Sequence, residues 1–163
     1  MNIKRNPGFT VLVFIALLSL LATSGSAAGS SQKKKGAGSK IKWAYDIDEG
    51  LARAKKEGKP VMVDFMATWC PPCRAMEDST FSNPAVIKKV SAFVPVRVDI
   101  DKQRPVAAKY GALARKYGGV GIPNILFMTG NEKKLRHIVG YYAADSLVAV
   151  MDSVIAFEGG AEH

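Results

Sequence analysis

Only two cysteines occur in the 163 residues of this chain, Cys70 and Cys73, and two prolines separate them. Thiols at that spacing can close onto each other. They follow an apolar run, Val61 to Ala67, at what reads as a strand-to-helix junction, a setting suited to reversible thiol–disulfide exchange. Cys70 is the expected nucleophile. A free cysteine titrates at about 8.5, and the unpaired N–H groups and positive dipole end of a helix start lower that value. Pro71 and Pro72 lack N–H groups, which leaves the Cys73 amide as the near donor. Cys73 is expected to be the more buried thiol, resolving a mixed disulfide after losing its own proton. Asp64 is the candidate to take that proton. An acid inside an apolar strand is costly to bury unless something uses or pairs it, and desolvation raises its pKa. The plainer alternative for Asp64 is a solvated or ion-paired strand residue. An inert disulfide is a weaker alternative for the cysteines, because so short a loop adds little chain-entropy stabilisation. A structural zinc site takes four N or S ligands, and only His137 and His163 could join the two cysteines, so no metal is expected and no cofactor is invoked.

The elements that must position these groups alternate in type. Asp46 with Glu49 reads as a helix start, Ile47, Leu51 and Ala54 share one helical face, and Gly58 and Pro60 end it. Val61 to Met66 reads as a buried strand and a second helix starts at the cysteines, its two prolines tolerated in the first turn. Asn83-Pro84 breaks or kinks that helix and Ala85 to Val90 resumes it. Phe93 to Asp99 is the next strand, placed by Pro95 at a sheet edge or strand start. On it, Arg97 reads as an exposed edge charge in preference to a partner for Asp64. Val106, Ala107, Tyr110, Leu113, Ala114 and Tyr117 predict a helix stopped by Gly118-Gly119. Asn124 to Met128 and Leu135 to Val139 read as an antiparallel hairpin about a turn at residues 129–132, and Leu147, Val148, Met151, Val154 and Ile155 as the apolar face of a last helix. The Tyr141-Tyr142 pair is expected to pack beneath that helix. A β-α-β unit gives parallel neighbours, so the fold class is α/β, a central mixed β-sheet flanked by helices on both faces.

Three stretches in this order resemble a thioredoxin-fold thiol:disulfide oxidoreductase over about Trp43 to Phe157: Val63-Asp64-Phe65-Met66-Ala67-Thr68-Trp69-Cys70, the Cys70-Pro71-Pro72-Cys73 redox loop, and Gly121-Ile122-Pro123. The flanks Gly58 to Phe65 and Thr80 to Val86 are similar to the C-terminal periplasmic thioredoxin-like domain of DsbD-type proteins and to secreted thioredoxin-like proteins. The resemblance implies a cis Pro123 facing the cysteines, Ile122 offering backbone hydrogen bonds to a client segment, and Asp64 beneath the second cysteine. Trp69 and Met66 are expected either to border the site or to serve as ordinary core or rim packing. This chain departs from thioredoxin with Pro-Pro in place of Gly-Pro, Asn124 in place of Thr, Arg97 in place of Lys, and a longer segment from Asp101 to Gly119.

Outside that span, Lys4-Arg5, an apolar run Phe9 to Ala22 and the small residues Ser26-Ala27-Ala28 make residues 1–28 a signal peptide cleaved near Ala28, or else an uncleaved anchor. Residues 29–42 read as a flexible basic linker, 43–158 as the thioredoxin-like domain and 159–163 as a loose tail. The net charge of +9 is concentrated before the domain, since 16 basic and 14 acidic residues follow from Trp43 onward. That distribution argues against a nucleic-acid partner and against strong membrane binding after signal cleavage. The expected function is an exported exchange of a Cys70–Cys73 dithiol or disulfide with protein clients. Only 49 residues separate Cys73 from Pro123, too few for the helical insertion of a DsbA-type oxidant, so a reductant or electron relay fed by a DsbD-type membrane donor is favoured. A non-catalytic client-binding module or holdase of the same fold is the alternative.

Overall fold

A computed structural model describes residues 41–111 and 121–160. Helix α1 spans Ile47–Glu57 because both of its ends are chemically marked. The Asp46 carboxylate accepts from the Asp48 and Glu49 amides at 2.8 and 2.9 Å, satisfying two donors that the helix itself cannot. Gly58 stops it in the left-handed region, φ 61°. Ile47, Leu51 and Ala54 are buried as their spacing predicts. Gly50 faces the sheet so closely that an added Cβ would lie 2.3 Å from Val96 Cγ2.

Four strands follow, β1 Val61–Met66, β2 Val94–Asp99, β3 Asn124–Met128 and β4 Lys134–Val139, in the sheet order β2-β1-β3-β4. β1 pairs parallel to β2 and antiparallel to β3, which pairs antiparallel to β4. β2 is the outer strand that Pro95 foreshadows. The Val94 amide donates inward to Pro60 O, so the missing N–H of Pro95 faces outward. There Ala44 makes an isolated bridge, donating to Pro95 O at 2.9 Å and accepting from Arg97 N at 2.8 Å.

The remaining helices among the described residues are α2 Pro71–Ala75, α3 Pro84–Val90, α4 Arg104–Lys109 and α5 Ala144–Gly160. Between α2 and α3 the chain is π-helical over Met76–Thr80, where the sequence predicts a plain continuation. Ser79 and Ser82 each return a hydroxyl to the carbonyl four residues back, Ala75 O at 2.6 Å and Asp78 O at 2.7 Å, a contact that loosens the helical ladder. Asn83 then caps α3 through Ala85 N at 2.8 Å. α4 is shorter than its apolar repeat predicts and gives way at Tyr110 and Gly111, φ 77°. Leu113, Ala114, Tyr117 and Gly118-Gly119 lie outside the described residues.

The sheet separates two apolar layers. On one side α1 and Ala107 of α4 pack with Val61, Val63, Phe65, Val94, Val96, Val98, Leu126 and Met128. On the other, α3 and α5 pack with Met62, Ile125, Phe127 and Ile138. Along α5, Leu147, Met151 and Val154 are buried and Val148 partly so, but Ile155, expected on that face, is 36% exposed. α5 runs to Gly160, two residues into the expected tail. The predicted signal peptide, nearly all of the predicted linker and residues 161–163 lie outside the described residues. Among the described residues no helix is long and apolar enough to cross a membrane.

Candidate active site

The end of β1 and the start of α2 hold the cysteines. Cys70 is the cap residue of α2, in an extended conformation, with Pro71 and Pro72 filling the first turn. The two prolines have no amide to offer, so the first available donor is Cys73 N–H, which points at Cys70 Sγ at 3.2 Å. The two cysteines form a disulfide, with Cα atoms 5.3 Å apart. Both cysteines are buried, Cys70 2% exposed and Cys73 6%. The turn before α2, closed by Cys70 N–H to Ala67 O at 3.2 Å, folds Cys70 back onto the sheet beside Phe65 and Ala67.

Trp69 lies just outside this cover, half exposed, its indole Nε1 donating to Asp101 Oδ2 at 2.6 Å. Met66 and Ile122 are partly buried against the cysteine cluster. The Ile122–Pro123 peptide bond is cis, and Gly121 before it takes φ 69°. Pro123 is buried, and its carbonyl accepts from Gly140 N at 2.8 Å, which ties this loop to the end of β4. Tyr141 follows Gly140 directly and is 48% exposed, with its hydroxyl 3.1 Å from Ser79 Oγ. The expectation that both tyrosines pack beneath the last helix is therefore met by Tyr142 alone. Its carbonyl accepts from the buried Thr80 hydroxyl at 2.7 Å, and that bond turns the neighbouring ring outward.

Asp64 faces the other layer. Its partner in the parallel register is Arg97, whose Nε donates to Asp64 Oδ2 at 3.0 Å, while its second arm meets Glu77 Oε2 at 2.6 Å. The guanidinium also stacks over the Trp43 ring, 4.1 Å from its centroid. Arg97 is thus not the exposed edge charge that the sequence favours. Residues alternate on β2, so burying Val94, Val96 and Val98 on one face sends Arg97 to the other, opposite Asp64. Burial pushes the Asp64 carboxyl up to about 6, and Arg97 only partly offsets it. Glu77 was not singled out from the sequence. Its signal was available, since it stands four residues after Cys73 and so on the same helical side. Through Arg97, the buried acid of β1 is linked to the segment that carries the second cysteine.

This arrangement holds two juxtaposed sulfurs, a cap amide directed at the first, a buried acid poised between protonation states and an exposed aromatic rim. Among the described residues no group of His, Cys, Asp and Glu is placed to hold a metal ion. Comparison with known proteins points the same way. The family model of the Thioredoxin-like domain matches residues 47–155. The thiol:disulfide interchange protein DsbD of Klebsiella pneumoniae is 36% identical over 106 residues, 64% of this chain and 17% of that protein. The DsbD of Campylobacter jejuni is 29% identical over 114 residues, 68% of this chain and 19% of its own length. The chain therefore spans less than a fifth of these relatives. Among solved structures, a thioredoxin from Thermus thermophilus superposes with a TM-score of 0.60 at 25% identity, covering 73% of this chain and 91% of that one. The oxidised C-terminal domain of Neisseria meningitidis DsbD gives 0.53 at 25% identity, covering 68% and 97%. The mixed sheet, the Cys70–Cys73 pair and the match over residues 47–155 show that the chain belongs to the thioredoxin-like family.

Proposed function

We propose that this protein is an exported thiol–disulfide oxidoreductase that exchanges its Cys70–Cys73 pair with protein clients, acting as a reductant or electron relay. The observation that carries this reading is the cap position of Cys70, with Cys73 N–H directed at its sulfur. In the reducing direction the Cys70 thiolate attacks one sulfur of a client disulfide and releases the other as a thiolate. Cys73 then gives its proton to Asp64 and attacks Cys70, which frees the second client sulfur. The client gains two electrons and leaves as two thiolates, which take up protons from Asp64 and from water, and the pair is left as the Cys70–Cys73 disulfide. Asp64 suits the proton step because burial raises its carboxyl to about 6, so that it is mostly ionised and able to accept a proton at pH 7. Ile122 and Pro123 receive the client backbone, Trp69 packs against it, and Pro71, Pro72 and Gly121 fix the two loops. A dithiol donor returns the pair to the reduced form, and a membrane protein of DsbD type is the proposed source. Residues 1–28 serve as the export signal and 29–42 as the tether, which places the domain in the periplasm or outside the cell.

The test is trapping. Cys73→Ser should accumulate mixed disulfides with exported polypeptides, visible as reductant-sensitive bands, whereas Cys70→Ser should trap none and lose turnover. A Cys70→Ser protein with client binding and function intact would instead establish a non-catalytic binding module. Equilibration against a glutathione series fixes the direction, and a value near the DsbA end would overturn the reductant reading.

A further inference from the structure

Asn124, directly after Pro123, carries an unexplained polar atom. Its register partner is Phe65, so its side chain shares the sheet face on which Phe65 packs with Cys70 and Cys73. β1 leads from Phe65 through one turn to Cys70, which puts Asn124 and the disulfide at the same end of the sheet. The Asn124 side chain is fully buried. Its Oδ1 lies 2.6 Å from Nε2 of His137 on β4, and an imidazole N–H donates across that gap. Its Nδ2 has no hydrogen-bond partner among the described residues. Buried amides are almost always paired, and a leucine of nearly the same shape would avoid the cost.

The redox state offers the reason. Here the sulfurs are bonded to each other and are weak acceptors. Reduction turns one of them into a thiolate, a full anion and strong acceptor on the sheet face that Asn124 shares with Phe65. We propose that Asn124 is a hydrogen-bond donor reserved for the thiolate of the reduced pair, and that His137 is the positioning residue that holds the carboxamide with Nδ2 free. This inference rests on the exchange function proposed above. A donor that finds its acceptor only after reduction favours the dithiol over the disulfide and the thiolate over the thiol. It therefore makes the pair more oxidising and more readily ionised, by linked amounts.

Asn124→Leu tests this in the full chain with two readouts: thiolate absorbance against pH in the reduced protein, and the dithiol–disulfide equilibrium against glutathione. The titration midpoint should rise by about one pH unit. The equilibrium should move about tenfold towards the disulfide, about 30 mV for a two-electron couple. Urea unfolding of the oxidised protein checks that the variant is folded, since it loses the His137 hydrogen bond together with the unpaired amide. His137→Gln, which keeps a donor for Oδ1, should hold both redox readouts near wild type, and His137→Leu should move both in the direction of Asn124→Leu. If Asn124→Leu does not fold, Asn124→Ala and the two His137 variants carry the same test. Midpoint and equilibrium both within twofold of wild type in a folded variant would overturn the inference. A wild-type protein that traps no client defeats the exchange function itself, a separate outcome.

Discussion

Asp64→Asn should make this protein more stable at neutral pH and leave it nearly unchanged in acid. The carboxyl is fully buried, and its pKa is raised from an ordinary 3.8 to about 6, first by desolvation and against the pull of Arg97. Below 3.8 it is protonated in the folded and unfolded chains alike. Between 3.8 and about 6 the unfolded chain releases the proton and the folded chain keeps it, so stability falls as pH rises through that window. Above about 6 both states are ionised and the loss is complete. At 1.36 kcal/mol per pH unit, the gap of roughly two units amounts to about 3 kcal/mol. Asparagine cannot ionise and keeps an acceptor for Arg97 Nε, so it should escape that loss. Urea unfolding of the oxidised wild type and of Asp64→Asn, run from pH 3.5 to 8, measures it without interference from thiol titration. The difference between the two proteins should grow by about 3 kcal/mol across the window and then level off. A difference that is flat with pH, or that grows towards acid, would refute the account of Asp64 as a strained buried acid. It would also remove the support for Asp64 as the proton acceptor of Cys73.

Two further perturbations probe the scaffold. Arg97→Met removes the shared partner of Asp64 and Glu77 and should cost about 3 kcal/mol, because a buried carboxylate is left uncompensated. It should also push the Asp64 titration higher, extending the pH window of instability upward, and a loss under 1 kcal/mol in urea unfolding would contradict the clamp. Gly50→Ala places a methyl group 2.3 Å from Val96 Cγ2 and should destabilise by about 1–3 kcal/mol. Adding Val96→Ala should recover part of that loss in a double-mutant cycle, and purely additive effects would show that the close approach is not the cause.

Local chemistry was readable in the chain where one segment decides the outcome. Asp46 and Gly58 mark α1, Asn83-Pro84 marks the break before α3, and the apolar runs mark β1 and β3. The cysteine pair and its single amide donor could be read the same way, because the two prolines leave no other donor nearby. What escaped depends on register and on partners distant in sequence. Arg97 looks like an edge charge until the parallel pairing sets it opposite Asp64, 33 positions away. Tyr141 looks like half of a packing pair until Thr80 claims the Tyr142 carbonyl. The π turn depends on two serine hydroxyls competing for carbonyls, a contest that apolar periodicity does not record.

The outer strands of the sheet bear on how a polypeptide can approach. β2 presents Pro95, which has no N–H to give, and its neighbouring groups are already taken by Ala44. β4 presents Lys134 and Arg136, both exposed, and charged outward residues discourage the docking of a foreign strand. Neither flank invites lengthwise augmentation by a guest chain. Under the exchange function proposed above, that leaves the loop at Ile122 and Pro123, and not a sheet edge, to receive a client.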